Sequence, residues 1–253
     1  MTFEYTPAEI MVAAAARRIG DDDVVFVGMR LPLLSFLLAK STHAPAAVGV
    51  FENGVIRIDP APAPFVTMGD CPNQAGAVRC CPMIEIMGYL SRGLVTLGFI
   101  GGAEVDVRGN LNTTRVGVPG KGGVRLPGSG GGADIASLAG RFMIIMDHQR
   151  RRFVERVSYI TSPGFGDHPG WRAAQGLPGG GPEALITSLG VFEFPGERAV
   201  LVSLHPGVTL DAVRAETGWD LETAADLQET PPPTAQELEV IRRFDPQGFW
   251  TGR

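Results

Sequence analysis

An open, mostly parallel α/β sheet flanked by helices is the fold class this sequence predicts, and three observations carry it. Val24-Val25-Phe26-Val27 and Leu94 to Ile100 are short apolar runs with no polar face, the pattern of strands covered on both sides. The first of these connects through a helical stretch, Leu33 to Thr42, to a second strand ending at Glu52, which makes a strand–helix–strand unit with a right-handed crossover. The 34 glycines and 20 prolines are spread along the chain as turn punctuation, so the elements are short and many. A chain of 253 residues has ample core for one large α/β domain. We therefore expect a single domain over residues 1–253, with residues from about 220 onward forming a peripheral, helical C-terminal segment.

Thr6-Pro7-Ala8-Glu9 is a capping box with proline at the first helical position, and the helix it opens should run to about Ile19 and stop at Gly20. Asp21 to Asp23 reads as a solvated turn before the first strand. Pro60 to Pro64 cannot join a ladder and is a loop. A short helix is expected near Met83 to Leu90, and further strands at Met143 to Met146 and Phe153 to Ile160. Pro163 to Gly181 is a long Gly/Pro-rich excursion, a type of loop that in compact domains is functional or packed on a partner. Ala184 to Thr187, Gly190 to Phe194 and Ala199 to Leu204 read as strands, the last two a hairpin around Pro195-Gly196-Glu197. Thr209 caps a helix ending at Gly218, and Thr234-Ala235-Gln236-Glu237 is a second capping box opening a final helix.

Composition narrows the function. A net charge of −5 argues against a nucleic-acid binder, which would show a basic face. Cys71, Cys80 and Cys81 are odd in number and partly adjacent, so no disulfide framework is implied and a reduced, cytoplasmic setting fits. No basic region precedes an apolar run at the N-terminus, and no apolar run reaches the ~18 residues needed to span a bilayer.

The stretch with most chemical content is Val48-Gly49-Val50-Phe51-Glu52-Asn53-Gly54: a short strand, a carboxylate, and an Asn-Gly turn. Alone, such a glutamate reads as a solvated turn residue. In an open α/β sheet, however, ligands bind outside the carboxyl ends of the strands, and a carboxylate placed there can act as a covalent nucleophile. Arg30 follows the first strand at the same sheet edge, where it could grip a substrate carboxylate with two N–H groups; an ordinary surface arginine fits the position equally well. Gly128 to Ala133 matches a G-x-G-x-x-A dinucleotide fingerprint, but Leu126-Pro127 stands where its strand should be, and no Lys-Ser or Lys-Thr follows to make a P-loop. Converging backbone amides for an oxyanion suit the run better, and a plain tight loop suits it as well. His43, His148, His168 and His205 have no metal-ligand spacing, and no Gly-x-Ser-x-Gly elbow is present. His148-Gln149-Arg150-Arg151-Arg152 is a basic cluster, read as a solvated face or as a contact for a partner's acids or a CoA phosphate.

Taken in order, these motifs resemble the β subunit of class I CoA-transferases, near the glutaconate and 3-oxoadipate branch. The resemblance runs nearly end to end. It is carried by Tyr5-Thr6-Pro7-Ala8-Glu9-Ile10-Met11, Glu52-Asn53-Gly54, Phe99-Ile100-Gly101-Gly102-Ala103, Asp106, and Gly109-Asn110-Leu111-Asn112-Thr113-Thr114. Arg125-Leu126-Pro127-Gly128-Ser129-Gly130-Gly131, Tyr159-Ile160-Thr161-Ser162-Pro163-Gly164 and Ser203-Leu204-His205-Pro206-Gly207-Val208-Thr209 continue it. It implies a CoA-transferase-like fold and an enzyme that moves CoA between carboxylic acids through a glutamyl-CoA thioester on Glu52. It also implies oxyanion donors at Gly130 and Gly131, and no cofactor beyond the CoA thioester itself. It further implies an α subunit of related fold, usually in an α2β2 heterotetramer, that completes the active site. Asn53 is the candidate for orienting the carboxylate, and Asn110 and Asn112 for binding the acyl group, with turn-forming roles as the competing reading for the latter two. One departure stands out: the family turn is Gly-x-Gly-Leu-Pro, and here it is Gly28-Met29-Arg30-Leu31-Pro32. Relatives on this fold act as decarboxylases or carbon–carbon hydrolases on CoA thioesters, typically with the glutamate lost, so Glu52 favours transfer over those alternatives. A non-catalytic nucleotide-binding subunit is the remaining alternative.

Overall fold

The computed structural model describes residues 4–117 and 122–253. The chain divides into two compact units, residues 1–99 with 231–253, and residues 100–230.

The first unit opens with α1 (Pro7–Ala16), whose capping box forms as expected: Glu9 N donates to the Thr6 hydroxyl and Thr6 N to the Glu9 carboxylate. Then follow β1 (Val24–Phe26), α2 (Leu31–Ser41), β2 (Val48–Val50) and β3 (Val55–Arg57). Asp23 is no solvated residue; it is buried, accepting from Gly20 N and from the Thr96 hydroxyl. After β3 come α3 (Cys71–Gln74), β4 (Arg79–Cys80), α4 (Met83–Ser91) and β5 (Leu97–Ile100). Strand order is β5-β1-β2-β3-β4, with β1 parallel to both β2 and β5, and with β3 and then β4 added antiparallel beyond β2. The helix α2 lies close on β2 because Gly49 carries no side chain: a Cβ there would fall 2.5 Å from the fully buried Phe36 ring.

The second unit carries two short ribbons, β6 (Glu104–Val105) with β7 (Leu111–Asn112) and β8 (Arg115–Val116) with β9 (Val124–Arg125). The helix α5 (Gly132–Leu138) then leads to β10 (Arg141–Met146), which pairs in parallel with β11 (Pro182–Thr187) after an excursion holding the single turn α6 (Trp171–Ala174). β12 (Gly190–Glu193) and β13 (Val200–Leu204) form the expected hairpin, and α7 (Leu210–Glu216) starts at the Thr209 cap. β14 (Glu222–Glu229) pairs with β13 in parallel. The chain returns to the first unit through α8 (Ala235–Phe244), opened by the second capping box and packed on α1 and α2.

Parallel pairing at the centre of the first unit and between β10 and β11 matches the α/β class, and the pairing is mixed because β2–β3–β4 and β11–β12–β13 run antiparallel. Two further expectations need correction. Residues from 220 onward are not peripheral: β14 is a sheet strand, and α8 buries Leu238, Val240, Ile241 and Phe244. Phe153 to Ile160 is not a strand; it makes only isolated bridges at Phe153 and Val154.

Candidate functional site

Glu52 leaves the sheet immediately after β2. The parallel register Phe26↔Val50, extended by Val27 N donating to Val50 O at 2.9 Å, brings Gly28 to Arg30 and Phe51 to Gly54 out at the same carboxyl edge. The reversal into β3 is tight. Phe51 N donates to Val55 O and Gly54 N to Phe51 O, each at 2.9 Å. Gly54 has φ +101°, and a Cβ there would sit 1.6 Å from the Cys81 carbonyl oxygen, so only glycine fits. Cys81 completes the clamp, donating to Gly54 O from its backbone N at 2.9 Å and from its thiol at 3.2 Å. Glu52 itself is half-buried, and its carboxylate makes no hydrogen bond or ion pair to another described residue. A rigid turn thus presents an uncommitted carboxylate at the ligand edge of the sheet.

Asn53 does a different job from the one expected. Its amide Nδ2 donates to Met68 O at 2.7 Å, and its Oδ1 accepts from Val55 N at 3.4 Å, so it ties the turn to the loop that follows β3. That loop is built around Arg57, the largest fully buried side chain, at 1 % exposure. Its guanidinium donates to the carbonyls of Asp59, Pro60, Asn73 and Ala75 at 2.7–3.1 Å. Burial pushes its pKa down, with Asp59 opposing. Asn73 adds a second donor to Met68 O. Sequence reasoning missed Arg57, since an arginine in a short strand gives no sign of its burial.

Arg30 is one of two non-glycine residues with positive φ among those described, at φ 70°, ψ −128°. Such a conformation costs on the order of 1–3 kcal/mol for an L-residue with a side chain. The side chain is exposed, forms no hydrogen bond to a described residue, and rests over the Trp250 ring with its guanidinium carbon 5.6 Å from the centroid. A glycine is therefore what the backbone geometry favours at this position, and the arginine is held against that preference.

In the second unit, Gly128 and Gly130 have φ +103° and +48°, and Gly131 is buried at the start of α5. Neither the Gly130 nor the Gly131 amide donates a hydrogen bond to another described residue, whereas Gly128 N and Gly132 N are both spent, on Thr113 O and Ser129 O. The two-residue β9 ends three residues before the run, so the dinucleotide fingerprint lacks its strand.

The side chains of Asn110 and Asn112 are spent on loop building, the role that competed with acyl binding. Asn110 is buried; its Oδ1 accepts from Gly164 N and Gly166 N, and its Nδ2 donates to Gly166 O and to Asp106. Asn112 is fully buried, donating to Glu104 and to Arg115 O while accepting from Thr114 N and Arg115 N. Asp106 is held above the ordinary carboxylate range by burial, with the Asn110 side chain opposing. His148 is likewise internal: stacked on Phe153 at 3.7 Å between ring centroids, it bridges the Thr187 and Thr217 hydroxyls. Burial lowers its pKa to about 4. Next to it, Arg150 donates to Thr217 O and Arg152 to Gly102 O, so these two arginines of the basic cluster hold the chain together.

A family model described as coenzyme A transferase matches residues 8–216. The chain is 40% identical over 244 residues to the B subunit of a 3-oxoadipate CoA-transferase from Pseudomonas knackmussii, covering 95% of this chain and 94% of that one. It is 33% identical over 251 residues to the B subunit of the glutaconate CoA-transferase from Acidaminococcus fermentans, covering 96% and 93%. The crystal structure of glutaconate coenzyme A-transferase from that organism superposes with a TM-score of 0.87 at 32% identity, covering 98% of each chain. The decarboxylase AibA/AibB follows at a TM-score of 0.84 and 28% identity, with 98% of each chain covered.

Proposed function

Because this chain belongs to the coenzyme A transferase family, we propose that it is a glutamate-bearing β subunit that moves CoA between carboxylic acids by a ping-pong route. The observation that carries this reading is Glu52: a carboxylate with no partner among the described residues, on a clamped turn, at the carboxyl end of a parallel strand. Its oxygen attacks the thioester carbonyl of an acyl-CoA, the C–S bond breaks, and CoA leaves as thiolate from a mixed anhydride. The thiolate attacks the glutamyl carbonyl, releasing the first acid and leaving CoA on Glu52 as a thioester. A second carboxylate then runs the steps in reverse. Thioester and anhydride are both already activated, so the route calls for no metal or redox cofactor. Within the second unit, the unspent amides of Gly130 and Gly131 are suited to holding an oxyanion; losing one such donor typically costs about 100- to 1000-fold in rate.

The similar proteins are named as B subunits, which supports an α-type partner here, and an α2β2 heterotetramer in a reduced cytoplasmic setting is the assembly we propose. Arg30 supports acids with a second anionic or oxo group, such as glutaconate or 3-oxoadipate. The same arginine, with the likeness to a decarboxylase, supports a second reading in which the enzyme cleaves a CoA thioester substrate without transfer. Mass balance separates the two. Co-expressed with its α-type partner and given an acyl-CoA, the enzyme should release one acid for each acceptor acid thioesterified, and Glu52→Gln should abolish the exchange. Turnover that proceeds with no acceptor present would replace transfer by the second reading.

A further inference from the structure

We infer that Arg30 and Trp250 together form a carboxylate-recognition site that selects acids bearing a second anionic group, an inference that rests on the transferase reading above. Three independent features of the first unit converge on it. The first is the backbone at Arg30: the turn between β1 and α2 takes a conformation suited to glycine, yet carries the longest cationic side chain available. The side chain is exposed and forms no hydrogen bond to a described residue, and the contact it does make is with the Trp250 ring. The second is position, since Arg30 and Glu52 leave adjacent parallel strands at one edge of the sheet.

The third is how Trp250 is held. Asp245 accepts from Trp250 N, Thr251 N and the Thr251 hydroxyl. Thr251 O accepts from the Thr6 hydroxyl at 2.8 Å. The fully buried Glu9 pairs with Arg242 and Arg253 on either side of the segment. The chain end is thus fastened at the indole that supports Arg30. A guanidinium lying on an aromatic face keeps its in-plane N–H groups free, and those are the groups that grip a carboxylate in a bidentate pair. Trp250 is accordingly a positioning residue: it limits the rotamers of Arg30 without spending the donors.

The test measures acceptor discrimination in the complex with the α-type partner, using acetyl-CoA as donor and succinate or glutarate against butyrate as acceptor acids. Arg30→Gly should lower the diacid-to-monoacid ratio of kcat/KM by about 10- to 100-fold, the loss of one charge-assisted pair, mostly through KM. It should also raise Tm by a few degrees, about 2–4 °C per kcal/mol of relieved strain in a chain of this size. Trp250→Leu should lower the ratio in the same direction, and Trp250→Phe, which keeps an aromatic face, should recover part of it. An unchanged ratio in both Arg30→Gly and Trp250→Leu, with CoA still captured on Glu52, would overturn the inference and leave the transferase reading standing. A rise confined to the KM for acetyl-CoA would overturn it too, by moving the cation to the CoA moiety. Absence of any CoA adduct on Glu52 in the unaltered complex would instead sink the reading beneath it.

Discussion

On the proposed reading, Glu52 and Gly54 divide chemistry from framework within three residues. The Glu52 carboxylate has no hydrogen-bond or ion-pair partner among the described residues, so Glu52→Ala should change unfolding free energy by only about 0.5 kcal/mol while eliminating exchange. Gly54→Ala should do the opposite. Its Cβ would meet the Cys81 carbonyl at 1.6 Å on a backbone at φ +101°, so a loss of at least about 3 kcal/mol is expected in a urea titration. Asn110→Ala belongs with Gly54. It would orphan the buried amides of Gly164 and Gly166 and the Gly166 carbonyl, and should cost about 2–4 kcal/mol. The asparagines show why part of the site was hard to read. A loop dense in side-chain donors looks the same in sequence whether they face a ligand or their own backbone; only the partners distinguish the two.

At the scale of elements, the signals with a local cause were legible. Both capping boxes opened helices where Thr6 and Thr234 stand, and Thr234→Ala should cost about 1 kcal/mol. The apolar runs before Gly28 and Glu52 became the parallel pair that sets the candidate site's edge. What failed had a non-local cause. The β14 sequence Glu222–Glu229 is mostly polar and mostly exposed, and it is a strand because β13 offers it a ladder. Phe153 and Val157 look like strand positions, yet they are buried under a coil that only bridges its neighbours. The loop after β3 falls in this second class. It is ordered by a single buried guanidinium whose acceptors lie up to 18 residues away. Arg57→Met should therefore loosen Pro60 to Ala75 in hydrogen exchange and, through the Asn53–Met68 bond, slow turnover before it unfolds the first unit.

For the molecule as a whole, the buried histidines contribute to the acid limb of stability. His148 stays neutral in the folded chain down to about pH 4, whereas in the unfolded chain it takes up a proton near pH 6.5. Between those values the unfolded state binds more protons, so stability falls as pH falls, by on the order of 3 kcal/mol at the lower end; above pH 6.5 this contribution is constant. His205, also lowered by burial, acts in the same direction. Urea midpoints at about pH 7 and about pH 4.5 should differ markedly, and His148→Gln should shrink the difference even if it lowers both midpoints. The family level of the molecule was readable from motif order alone, because a resemblance spread over the whole chain does not depend on any single loop. The division of labour proposed for Glu52, Arg30 and Trp250 was not, since it depends on a turn conformation and on the segment around Trp250 returning to the first unit. The most direct test is covalent: incubate the complex with acyl-CoA, reduce with borohydride, digest, and map the products by mass spectrometry. A glutamyl thioester should be reduced to the alcohol at Glu52, and only when acyl-CoA was present. Full recovery of the Glu52 peptide as free carboxylate, under conditions where the enzyme turns over, would contradict the account.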